Sequence, residues 1–196
     1  HRHVGSNPTP SASEVKTRKT VVVLRVFYHG GAFLNRPWSK TRKILEEELM
    51  CESLKGRVKY FATRYRHAHD GTGRVCVLVD GVEKLTMPFE TEYKISKEVY
   101  SRKEAYKSLN ETYDDVTKQF CETGIFAPWN FGEALNEYFK NTIEKSLSSD
   151  NWLVRMLAIL DRRVGIRTLR ILKSDIGTLP QWLQYFYELR FESENI

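Results

Sequence analysis

Three clusters in this sequence carry side chains that could do chemistry. The first is His67-Ala68-His69-Asp70, which sets two imidazoles and a carboxylate within four positions. Such a group can supply ligands to a divalent metal, or a base and the residue that orients it. On an extended strand His67 and His69 would share a side, but the run falls where a turn is expected. Asp70 ahead of Gly71 is what a turn asks for, and no third histidine follows residue 33 to complete a site. A hairpin loop is therefore the competing reading, and His67, His69 and Asp70 are the catalytic candidates.

The second cluster is Arg162, Arg163, Arg167, Arg170 and Lys173. Arg163, Arg167 and Arg170 stand at i, i+4 and i+7, so a continuous helix would present three guanidinium groups on one side, suited to phosphate oxygens or acidic side chains of a partner. Gly165 interrupts that alignment, and the helix, short turn and helix around it resemble a helix-turn-helix without its diagnostic spacing. Asp161, Asp175, Glu188 and Glu192 are close enough in sequence to pair with these arginines, which would make the cluster a solvated structural face. The third cluster interleaves Arg57, Lys59, Arg64, Arg66 and Arg74 with Tyr60, Phe61 and Tyr65. On an open sheet this mixture can stack bases and neutralise phosphates, although core aromatics give the same pattern. No glycine-rich phosphate loop, Gly-x-Ser-x-Gly elbow or His-Glu-x-x-His is present, so no familiar enzyme template applies.

These residues need elements to hold them. Residues 57–66 are rich in aromatic and β-branched types, a turn cluster covers 67–73, and 74–79 is a second apolar run. Asp80-Gly81 then predicts a type I′ hairpin into 82–87, because both residues tolerate positive φ, and Pro88 ends the last strand. The result is a three-stranded antiparallel meander. Val75, Val77 and Val79 share one face while Cys76 and Leu78 make the other apolar too, so both faces should be partly covered. Ahead of it, Ser39 is read as the cap of a helix over 39–54, stopped by Gly56.

After Pro88 the pattern turns helical. Ile95, Val99, Tyr106, Leu109, Tyr113, Val116 and Phe120 follow a 3,4 spacing broken only at Arg102, which predicts one long helix over 94–123 with a stop at Gly124. Asn130 with Glu133 reads as a capping box opening a helix over 130–147. Ser148-Ser149-Asp150 precedes the most hydrophobic helix, 152–160, which Gly165 separates from a shorter one over 166–173. Thr178, Pro180 and Gln181 start the last helix, with Trp182, Phe186 and Leu189 inward.

With 196 residues, 41% hydrophobic and 29% charged, the chain can bury one core. No apolar run reaches the roughly 20 residues of a membrane helix, and the hydrophobic stretch 21–28 is short and interrupted by Arg25, so a cytoplasmic protein is expected. Cys51, Cys76 and Cys121 are far apart and odd in number, which argues against a disulfide framework or a zinc site.

The formal charge of +6 invites a nucleic-acid partner. Its distribution weakens that argument. Val4-Gly5-Ser6-Asn7-Pro8-Thr9 can be encoded by GTG GGT TCG AAT CCC ACC, whose ends pair around TTCGAAT like the T-arm of a transfer RNA gene. Residues 10–13 can encode a GCCA end, and His29-Gly30-Gly31 can hold GGAGG ahead of a TTG start at Leu34. Residues 1–33 are thus expected to be a translated leader with a misplaced start; a Pro/Ser-rich arm followed by an edge strand over 20–28 is the alternative. The leader would carry Arg2, Lys16, Arg18, Lys19 and Arg25 against Glu14, a net +4, leaving +2 on residues 34–196.

Trp38-Ser39-Lys40, Arg64-Tyr65-Arg66, His69-Asp70, Gly73-Arg74, Val79-Asp80-Gly81, Leu160-Asp161-Arg162-Arg163-Val164-Gly165, Arg167-Thr168-Leu169 and the stretch from Pro180 to Arg190 together resemble a family of small uncharacterised bacterial proteins. The resemblance spans about 34–196. It implies no assigned activity and carries over no catalytic residue. The expectation is therefore a single α+β domain over 34–196: an N-terminal helix, a three-stranded antiparallel meander, then a helical half of four to five helices. Its expected role is a non-enzymatic binding module for nucleic acid or another anionic partner such as an acidic protein surface. Arg64, Arg66, Arg74, Arg163, Arg167 and Arg170 would be its contacts, with no cofactor, metal or membrane. An enzyme built on the 67–70 loop and a protein-interacting accessory factor are the alternatives.

Overall fold

A computed structural model describes residues 32–33, 36–64, 73–102 and 109–196. The chain is α+β, in the expected order. A two-residue antiparallel pair, β1 (Ala32–Phe33) with β2 (Arg36–Pro37), leads into helix α1 (Trp38–Lys43), which widens into a π-helical stretch, Ile44–Leu49. Apart from Ala32 and Phe33, the expected leader lies outside the described residues, and so does the stretch 21–28.

The first helix is shorter than the spacing predicts. Pro37, not Ser39, precedes it, and it stops at Leu49 because Met50 turns extended (ψ 137) and bridges to Asp161. That bridge is fixed by Cys51 N–H to Leu160 O (3.0 Å) and Arg162 N–H to Leu49 O (2.7 Å). A short 3-10 turn, Glu52–Leu54, follows.

The meander is β3 (Val58–Arg64), β4 (Gly73–Val79) and β5 (Val82–Pro88), in that spatial order and antiparallel throughout. At its tight turn Asp80 and Gly81 have φ of 51° and 82°, the positive pair that a type I′ turn requires. Val58, Tyr60, Val75, Val77, Val79, Leu85 and Met87 belong to the main core. The opposite face holds Phe61 and Lys59, both exposed, around a buried Cys76.

Two helices stand where one was expected: α2 (Glu90–Ser101) and α3 (Leu109–Glu122). The break falls at Arg102, the one polar interruption of the apolar stripe. Arg102 donates to Glu98 (2.7 Å) behind it and to Gln119 (2.9 Å) on α3, so the two helices fold back on each other. They share a small core of their own, Ile95, Val99 and Val116, flanked by Tyr113 and Phe120. Gly124 stops α3 at φ +81°, and a Cβ there would lie 2.9 Å from the Trp182 ring, so both backbone shape and space ask for glycine.

Helix α4 runs Pro128–Lys140, with Asn130 inside its first turn rather than at its cap. The Asn130 side-chain oxygen reaches back to accept from Ala127 N–H (2.9 Å). The helix expected to continue to 147 is broken by Asn141 in extended geometry, and Thr142 caps a separate α5 (Ile143–Leu147). Next, α6 (Trp152–Ile159), capped by Asn151, buries six of its eight residues and is the axle of the helical half. Helix α7 (Ile166–Ser174), a 3-10 turn (Ile176–Thr178) and α8 (Gln181–Ser193) close the fold. Pro180 sits at the cap of α8, ahead of the first turn where it was expected. Leu183, Phe186, Tyr187, Leu189 and Phe191 bury the inner side of α8.

Candidate interface for an anionic partner

Helix α7 is the most lightly anchored of the long helices in the second half. Its one fully buried residue is Leu169, with Leu172 half-buried behind it. Everything on the other side faces solvent, including Arg167 and Arg170 on the helix and Arg162 just ahead of it. Among the described residues these three arginines make no ion pair. Lys173 donates to the carbonyl of Ile196 (2.9 Å). Beside the arginines stand Ile166 and Ile171, 41% and 63% exposed. On a helical wheel Ile166, Arg167, Arg170 and Ile171 fall on one face, so the exposed surface is both cationic and apolar.

Arg163 does not join them. It lies in the turn before α7, and its backbone N–H (2.7 Å), Nε (2.9 Å) and terminal nitrogen (2.6 Å) all donate to the Asp161 carboxylate. Asp161 is buried at the bridge to Met50 and also accepts the hydroxyl of buried Tyr138. The carboxylate pushes the Arg163 guanidinium above its ordinary pKa, while burial raises the Tyr138 hydroxyl. No ligand fits there: the void beside Tyr138 and Asp161 is about 10 Å³, at the lower limit for one water. The triad of Arg163, Asp161 and Tyr138 is thus a brace that ties the α6–α7 turn to α4 and to the end of the first helix.

The sheet arginines divide the same way. Arg74 is held by Glu83 (2.6 and 3.1 Å), to which Thr86 also donates. Arg57, just ahead of β3, makes a two-pronged contact with Asp80 of the hairpin turn (3.0 and 2.8 Å), which holds the Asp80 carboxyl below its usual range. Tyr60, expected among the stacking aromatics, points into the core, and its N–H donates to Glu46 (2.7 Å). Of that cluster Lys59 and Phe61 are exposed together on the outer face. Arg64 pairs with Gly73 at the sheet's end, its side chain outside the description. Tyr65, Arg66, His67, His69 and Asp70 lie outside the described residues.

The sequence reading missed Ile166 and Ile171 as surface residues. Ile171 is off the 3,4 line drawn by Leu169, Leu172 and Ile176, and that was the available signal. Among the described residues no helix is long and apolar enough to cross a membrane.

The model of the SF0329 protein family matches residues 37–191, a span that includes the whole of α7. No curated protein and no solved structure matches the chain. The chain belongs to the SF0329 protein family.

Proposed function

We propose that this member of the SF0329 protein family is a non-enzymatic binding module that receives an anionic partner on the outer face of α7. One contrast carries the reading. Arg57, Arg74, Arg102, Arg163 and Arg190 each have a carboxylate within 3.0 Å, while Arg162, Arg167 and Arg170 are exposed with none among the described residues. Guanidinium groups without an internal counter-charge are open to carboxylates or phosphates brought by a partner.

Ile166 and Ile171 favour an acidic protein surface with apolar residues of its own. Nucleic acid is the second reading, since phosphate contacts need only the arginines. A cytoplasmic setting accompanies both, in keeping with the free thiols Cys51, Cys76 and Cys121.

Binding of a Glu- and Leu-rich peptide and of an oligonucleotide of equal charge, each measured across a salt series, tests this. Binding at low salt that weakens with added salt is expected, stronger for the peptide, and lost when Arg162, Arg167 and Arg170 all become Ala. Tighter binding of the oligonucleotide moves the reading to nucleic acid. Retention of neither at low salt overturns it.

A further inference from the structure

A second surface feature shares no residue with α7. A cleft of about 220 Å³ opens between α3, the start of α4 and the start of α6. That is below the range of drug-sized pockets and suits a small metabolite. Phe126 and Leu153 give it an apolar floor and Trp152 an aromatic side; Arg155 stacks on that indole 4.7 Å from its centre.

The polar lining is of both signs. Asp114 and Lys118 project from α3, and Asp150 from the turn before α6; all three are exposed and make no ion pair among the described residues. Asn130 and Asn151 each spend the side-chain oxygen on a backbone N–H, of Ala127 and Leu153 respectively, and their amide NH2 groups make no hydrogen bond among the described residues. Thr117 adds a buried hydroxyl with no hydrogen-bond partner among the described residues.

We infer that this cleft binds a small zwitterion of the α-amino-acid class. The ligand's ammonium meets Asp114 and Asp150, its carboxylate meets Lys118 and the two asparagine amides, and its side chain lies against Trp152 over the apolar floor. A plain cation would leave Lys118 and the amides unmatched, and a plain anion would face two carboxylates. Free charges of both signs around an apolar floor ask for a ligand that carries both.

The test begins with thermal shifts of the full chain against the common L-amino acids. The best of them then goes to calorimetry beside its two half-analogues, the amine lacking the carboxylate and the acid lacking the amine. Saturable binding of the amino acid is expected, with each half-analogue about tenfold weaker or worse. Asp150→Asn and Lys118→Gln should each lower affinity about tenfold with the unfolding midpoint unchanged, since both side chains are exposed. On the wild type, the indole NH resonance of Trp152 should move on titration while that of Trp38 stays. No shift with any amino acid, half-analogues that bind as tightly, or unchanged affinity in both charge variants would overturn the assignment. Loss of the α7 function by the arginine variants leaves it untouched.

Discussion

Arg163 and Arg167 stand four positions apart in one arginine-rich run, yet they do different jobs. Behind Arg163 lies Asp161, 1% exposed and bonded to Tyr138 as well, so the guanidinium completes a brace. Arg167 has no such acceptor among the described residues, and its helix is held by Leu169. What separates a structural arginine from a binding one is thus the acceptor within its reach, a property of the packing around it. The same division recurs in the sheet, where Arg57 and Arg74 are spent on Asp80 and Glu83.

The contrast can be broken most severely at Asp161. Asp161→Ala removes the acceptor for Tyr138, for the Arg163 guanidinium and for the Arg163 N–H, and strands a buried hydroxyl. A loss of about 3–5 kcal/mol in urea unfolding is expected. A loss below about 1 kcal/mol would release Arg163 from its role as brace and return it to the binding set. Leu169→Ala comes next, since it removes the single fully buried anchor of α7. About 3 kcal/mol is expected, together with weaker binding of an anionic partner, because the arginines lose their common platform.

Arg167→Ala and Arg170→Ala sharpen the contrast from the other side. With no partner to lose among the described residues, each should change stability by less than about 0.5 kcal/mol while lowering affinity for an acidic peptide. A larger cost in stability would mean that α7 depends on them for its own packing. The smallest effect is expected at Asp80, whose carboxyl is exposed and held below its usual pKa by Arg57. A depressed carboxyl stabilises the fold above its unfolded value and loses that contribution as pH falls through the folded one. Asp80→Asn keeps a residue that tolerates positive φ. The small stability gap from wild type should therefore be present at pH 7 and close below about pH 3.8.

Much of the architecture was legible because it rests on local chemistry. Asp80-Gly81 announced its turn by backbone tolerance alone, and the valines of β4 announced a strand by type. The hydrophobicity of residues 152–160 announced the buried helix. Errors came where a local pattern was cut by a distant contact. The stripe from Ile95 to Phe120 satisfies one helix or two, and the choice fell to Arg102, whose hydrogen bond to Gln119 exists only once the chain has folded back. The first helix ends at Leu49 for a similar reason, since Met50 is taken up by Asp161 more than a hundred residues away. Asn130 was correctly picked as a capping residue but placed at the wrong position, because Pro128 can occupy the first turn without an N–H to lose.

The candidate surfaces were legible only as residue types. Sequence alone marked Arg163, Arg167 and Arg170 as one set by their spacing, as it marked Arg57 and Arg74 by their place among aromatics. It determined the turn chemistry and the strand order, which follow from neighbours along the chain. Only the tertiary structure decided which arginines were neutralised and which were free. It alone brought Asp114, Lys118 and Asp150 around one cleft. Charge pairing and cavity lining depend on distances between groups remote in sequence, and those distances are set when the helices pack.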